Sequence, residues 1–194
     1  MKKVGIITLN AYCNYGNRLQ NYALQKYIKN LSKDIIPETI WYYDNGLKVK
    51  ENQITKNNIR RYIFNRKGFR DLVNSGKYFY DFIREYNFKK FSDEYINIVF
   101  DHKIKKDLNS RYDYFIAGSD QIWNPQNLDL KNEFLQFADR NKRIAYAASF
   151  GVSEIKSDKV DVVKKGLEGI DFISVREYAG AKIVKDWKRS TCFS

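Results

Sequence analysis

The chain reads as an α/β protein: a mainly parallel sheet with helices on both faces. Three observations predict this. Short apolar runs recur at Val4–Thr8, Tyr114–Ala117 and Ile144–Ala148, and such runs suit strands that are covered on both sides. Helical patterns separate these runs, and alternating strands and helices favour parallel pairing. Each run then breaks into glycine and small polar residues, which is the composition expected where open parallel sheets bind ligands, at the strands' carboxyl ends. The class is Rossmann-like.

Taken in order, Met1-Lys2-Lys3 and Val4–Leu9 have the outline of a short signal peptide. The apolar run ends at Asn10 with no small-residue cleavage site, so the segment is read as the first strand of a cytoplasmic protein. Asn14-Tyr15-Gly16-Asn17 forms a glycine turn into a helix. Leu19, Tyr22, Ala23, Tyr27 and Leu31 mark its apolar stripe, with Arg18, Gln25, Lys26 and Lys29 off it. Pro37 closes that helix, Thr39–Tyr43 is the second strand, and Asp44-Asn45-Gly46 turns the chain. Asn52 to Glu94 is helical, with breaks near Gly68 and Gly76. Tyr112–Ala117 is the central strand, Gly118 lets the backbone turn, and Asn124-Pro125 marks a further turn. Arg143–Ala148 resumes the sheet, and a helix from about Ser157 places Val160, Val163 and Leu167 on one side. Ile170–Ile173 is the last clear strand. Ser174-Val175-Arg176-Glu177 has the S-x-x-E form of a capping box, opening a helix through Lys185.

A length of 194 residues suits one domain with a sizeable core, and 43% hydrophobic with 16% aromatic content argues against disorder. Residues 1–187 form the predicted domain, with a helical, basic-aromatic insertion at about 50–100 and an irregular tail at 188–194. No run approaches the roughly 18 apolar residues of a membrane span. Cys13 and Cys192 lack metal spacing and are expected as reduced thiols. Cys13 is also a conceivable catalytic thiol beside the first loop, but the lone histidine, His102, offers it no obvious pairing. No His, Cys and carboxylate cluster suggests a metal. The net charge of +12 raises nucleic-acid binding. The basic excess peaks between Lys50 and Lys90, where Tyr62, Phe64, Phe69 and Tyr78 interleave. Solvated basic faces on aromatic-cored helices explain that mixture more simply than base stacking. Docking to an acidic polymer or an anionic membrane surface is a third use.

Four segments together carry a resemblance: VGIITLNAYCNYGNRLQNYALQKYI (Val4–Ile28), YDYFIAGSDQIWNP (Tyr112–Pro125), FLQFADRNKRIAYAASFG (Phe134–Gly151) and FISVREYAGAKIV (Phe172–Val184). In this joint pattern the chain resembles the polysaccharide pyruvyl transferases. The resemblance implies a bacterial surface-polysaccharide enzyme that moves pyruvate from phosphoenolpyruvate onto a sugar as a ketal, with no cofactor beyond that donor. The acceptor would be a sugar, a nucleotide-sugar or a lipid-linked saccharide, and the location cytoplasmic or peripheral at the inner membrane face. It implies one half of a glycosyltransferase-B-like two-domain fold. The family's second half, with its Asp-Pro-Thr word and catalytic histidine, is not in the sequence, which suggests truncation, degeneration or a separately encoded partner. The competing readings are a noncatalytic scaffold domain, a nucleotide-sugar glycosyltransferase domain and a basic nucleic-acid-binding protein.

Pyruvyl transfer needs an anion site, an acid for the enol carbon and groups that position hydroxyls. Arg176 and Arg18 place cations near helix starts, where helix electrostatics favour a bound anion, the alternative being an arginine turned back to a neighbouring carboxylate. Arg176 is the expected donor-binding arginine and Asp120 the expected acid/base group. Asn14, Tyr15, Gly16, Asn17, Arg18, Ser119, Gln121, Trp123, Ser149, Gly151 and Ser174 complete the candidate substrate-binding set. Helix capping accounts for Asp120 as well, turn formation for Asn14 to Asn17, and a core role for Trp123.

Overall fold

In the computed structural model, which describes residues 1–10, 14–42, 69–101, 107–126, 130–187 and 192–193, seven strands form one all-parallel sheet. They are β1 (Lys2–Ile7), β2 (Ile35–Tyr42), β3 (Ile98–Asp101), β4 (Tyr114–Asp120), β5 (Arg143–Ala148), β6 (Phe172–Val175) and β7 (Cys192–Phe193). The order across the sheet is β3-β2-β1-β4-β5-β6-β7. The chain steps outward from β1 to β3 and then returns to the other side of β1. β1 and β4 therefore flank the switch point, where loops diverge and leave a crevice.

Alternation along the strands gives the sheet two apolar faces. Val4, Ile6 and Ile116 meet Leu24 and Ile28 of α1 (Tyr15–Leu31). The long helix α2 (Phe69–Tyr95) joins α1 through the Tyr15–Phe88 ring contact. On the opposite face Ile7, Phe115, Ala117, Ala145 and Ile173 form the larger core. Val163 and Leu167 of α4 (Val160–Glu168) and Ala181, Ile183 and Val184 of α5 (Tyr178–Trp187) close over it. A short helix, α3 (Leu108–Arg111), leads into β4 and buries Leu108. Among the described residues no helix is long and apolar enough to cross a membrane.

Several expectations are corrected. The inner face of α1 is Asn17, Arg18, Asn21, Leu24, Gln25 and Ile28, whereas Leu19, Tyr27 and Leu31 are exposed. The assigned stripe misses this largely polar inner face, and of its members Tyr22 packs instead against Phe91 and Tyr95 of α2. α1 ends at Leu31, and Pro37 lies inside β2. The Thr39 N–H points toward β3, so the Pro37 nitrogen faces the same way, at a level β3 does not reach because it starts opposite Thr39. No ladder hydrogen bond is lost there. α2 runs unbroken through Gly76, while Gly68 and the Asp44–Gly46 turn lie outside the described residues. Gly118 continues β4 rather than ending it: a Cβ there would stand 2.8 Å from Leu24 Cδ2, so the missing side chain lets α1 approach. β6 includes Ser174, and α5 starts only at Tyr178, so no capping box forms. Cys192–Phe193, expected in an irregular tail, pairs with Ile173 and Ser174.

Candidate functional site

Four strands of one direction deliver the residues at their carboxyl ends to one rim. After β1, Asn14 caps α1 by accepting the Asn17 N–H on Oδ1 at 3.2 Å. Asn17 is buried one turn into the helix, and its Nδ2 donates to Asp120 Oδ2 at 3.1 Å, at the end of β4. The Asn17 amide is oriented from behind by Arg18, whose Nε and Nη2 donate to Asn17 Oδ1 at 3.2 and 2.6 Å. Arg18 is 1% exposed. It also bonds Leu9 O and Asn10 Oδ1 and lies over the Trp41 ring. Expected as a ligand-binding cation at the helix start, Arg18 instead sits inside the fold and sets Asn17.

Asp120 ends β4 with φ at 82°, a left-handed conformation that costs a non-glycine residue on the order of 1 kcal/mol or more. Asp120 Oδ1 accepts the Gln121 N–H at 2.9 Å. The turn that brings polar groups to the rim is thus made at Asp120, two residues after Gly118. Backbone bonds lock the neighbouring loop to it: Ser149 N donates to Asp120 O, and Trp123 N to Ser149 O, both at 3.1 Å. Just before that loop, β5 carries a register shift between Ala145 and Ala148, with Ala147 at φ 51°. Such a bulge bends a strand end and re-aims the side chains beyond it.

The first side chain beyond the bulged strand is Ser149, fully buried. Its hydroxyl donates to Glu177 Oε1 at 2.6 Å and accepts from the Gly151 N–H at 3.0 Å. Gly151 is required here: its φ is 65°, and a Cβ would meet Gln121 Cδ at 2.6 Å. Arg176, directly after β6, reaches in from the far side. Its Nη2 stands 3.5 Å from Ser149 Oγ, its Nη1 3.9 Å from Asp120 Oδ1, and its Nε 3.5 Å from Glu177 Oε2. Its side chain is 40% exposed, so the guanidinium is open to solvent on one side.

The expected set is therefore gathered in part. Asn17, Asp120, Ser149 and Arg176 form one connected cluster, with Gln121 and Gly151 beside it. Asn14 is the helix cap, and Tyr15 and Gly16 lie in the first helical turn rather than in a loop. Tyr15 is exposed, with its ring against Phe88. Trp123 is not a sugar platform: it is fully buried, stacked on Phe134, and donates Nε1–H to Glu133 O at 3.1 Å. Ser174 lies within β6, and Ser119 lies in β4 one residue before Asp120, its side chain outside the described set. Cys13 and His102 are outside the described residues. Among the described residues no three His, Cys, Asp or Glu side chains gather as a metal site. Glu177 is an addition to the expected set, because the S-x-x-E pattern has the form of a helix cap as well.

Chemically, the rim offers a part-exposed guanidinium with two carboxylates and a buried hydroxyl 3.5 to 3.9 Å from it. No curated protein matches the chain. The family model described as polysaccharide pyruvyl transferase matches residues 14–191, which takes in every residue of the cluster and residues 188–191 of the expected tail. With that match spanning most of its length, the chain belongs to the polysaccharide pyruvyl transferase family.

Proposed function

We propose that this rim binds the donor in a pyruvyl transfer from phosphoenolpyruvate to a saccharide. In that reaction the enol carbon C3 gains a proton. C2 bonds to one sugar oxygen as its bond to the phosphate oxygen breaks, and a second sugar oxygen closes the ketal. Phosphate leaves; of the two hydroxyl protons, one is balanced by the proton on C3 and the other goes to phosphate or solvent. Arg176 takes the donor's anionic group, Asp120 carries the proton, and Asn17 fixes the Asp120 carboxylate. The acceptor is a sugar, free or attached to a nucleotide or lipid.

One observation carries this reading: Asn17, Asp120, Ser149 and Arg176 come from four different strand ends and meet beside the switch point. Arg176 suits an incoming oxyanion. Its neighbouring acceptors stand at 3.5 to 3.9 Å, whereas charge-assisted bonds close to about 2.7–2.9 Å. Calorimetric titration with phosphoenolpyruvate tests the reading. Arg176→Ala is expected to weaken binding at least about tenfold, the scale of one hydrogen bond to a charged group. Unchanged affinity would remove Arg176 from the donor site. A chain that binds nucleotide sugars and ignores phosphoenolpyruvate would point to glycosyl transfer instead.

A further inference from the structure

Glu177 has the spacing of a helix-capping acid, and a carboxylate beside the start of α5 is favourable to the helix dipole. Its side chain is nevertheless turned toward the rim. One oxygen accepts the Ser149 hydroxyl at 2.6 Å, and the other faces Arg176 Nε at 3.5 Å. Ser149 is itself immobilised: it is fully buried, its oxygen receives the Gly151 N–H, and its backbone is tied to Asp120 and Trp123. The single hydroxyl hydrogen is committed to Glu177. A rigid strand end thus holds Glu177, and Glu177 flanks one side of a guanidinium that is otherwise loosely held.

An arginine can present an oxyanion with either its Nε–Nη side or its Nη–Nη end. We propose that Glu177 is a positioning residue: clamped by Ser149, it occupies the Nε flank of Arg176, so that the Nη end, where Ser149 Oγ at 3.5 Å and Asp120 Oδ1 at 3.9 Å stand beyond charge-assisted bonding distance, is the edge offered to the donor. The inference rests on the donor reading above, and it adds a sign that a bystander carboxylate would not have. A carboxylate that merely stood near an anion site would repel the ligand, and neutralising it would tighten binding. A carboxylate that fixes the arginine's geometry does the reverse, because orienting the fork in advance lowers the cost of ordering it on binding.

The test uses the whole chain and two readouts. The first needs no ligand: the Arg176 Nε–H resonance in nitrogen-15 NMR, assigned by its loss in Arg176→Lys. The carboxylate contact is expected to set it apart from exposed arginines, and Glu177→Gln to return it to them. The second is calorimetry with phosphoenolpyruvate. Glu177→Gln is expected to weaken binding about tenfold and Ser149→Ala about threefold, with Glu177→Asp between wild type and Gln. Ser149→Ala changes no charge, so it remains informative if Glu177→Gln folds poorly by its thermal midpoint. An unchanged Nε–H signal in Glu177→Gln, or equal or tighter phosphoenolpyruvate binding, overturns the assignment. If wild type binds no phosphoenolpyruvate while the Nε–H signal still collapses in Glu177→Gln, the donor reading falls and the positioning role stands.

Discussion

The segments after β1 and after β4, on the two sides of the switch point, are built on opposite rules. After β1 comes a regular helix whose inward face is rich in polar side chains. Arg18 holds Asn17, Asn21 Oδ1 accepts the Thr39 hydroxyl at 2.7 Å, and Gln25 Nε2 donates to Thr39 Oγ1 and Asn97 O at 2.7 and 2.8 Å. After β4, the described residues between Gln121 and Asp139 form turns without an α-helix or strand, yet they bury Trp123, Leu130, Phe134, Leu135 and Ala138. Regularity and apolar burial have come apart. Hydrogen bonds are directional and can hold the Asn17 amide at one angle, whereas apolar contact is non-directional and supplies most of the stabilisation. The helix orients the site, and the irregular segment anchors the sheet beneath it.

Substitutions on each side sharpen that contrast. The largest effect is expected on the irregular side. Trp123→Ala removes a fully buried ring that packs on Phe134 and Phe150, and should cost about 3–5 kcal/mol of unfolding free energy in urea titrations. A loss below about 1 kcal/mol would mean the segment is a cover rather than an anchor. On the helical side, Arg18→Met keeps much of the volume but strips the donors from Leu9 O, Asn10 Oδ1 and Asn17 Oδ1. About 2–3 kcal/mol should be lost, together with donor affinity, because Asn17 is then free to turn. If stability fell and donor affinity held, the polar face would be structural only.

The smallest effect lies away from both. Tyr112 is buried and donates its hydroxyl to Glu38 Oε2 at 2.8 Å. Burial, and then that hydrogen bond, raise its ionisation well above the ordinary tyrosine value of 10.0. The neutral phenol belongs to the folded state, so its contribution is complete below about pH 10 and is lost as pH rises beyond it, where the unfolded chain gives up its proton first. Tyr112→Phe should cost about 1 kcal/mol at neutral pH and make the decline above pH 10 shallower in denaturant midpoints. An equally steep decline in the variant would place the alkaline sensitivity elsewhere.

The parts legible from sequence were those in which apolar burial and chain direction coincide. β5 has the expected bounds and β1 overlaps its apolar run, with Val4, Ile6 and Ile7 buried, although β5 leaves Tyr146 exposed. Because the sheet is parallel, the polar residues after β1, β4, β5 and β6 had to share a rim, and Asn17, Asp120, Ser149 and Arg176 do. α1 was read inside out because hydrophobicity is a poor guide to a helix that buries amides and a guanidinium. β3 was missed: Ile98–Asp101 is four residues long and only half buried. Glu177 was masked by a pattern with two meanings, and only the position of Ser174 within β6 separates a cap from a clamp.

The backbone angle at Asp120 has one more implication. Glycine would rest there without strain, yet the position holds an acid that keeps its carboxylate against Asn17 and within 4 Å of Arg176. Thermal hardening and chemistry thus pull this residue in opposite directions. A screen that rewarded only heat resistance would drift toward glycine at position 120, and its sturdiest survivors would be those that had discarded the carboxylate to which the proposed reaction assigns the proton.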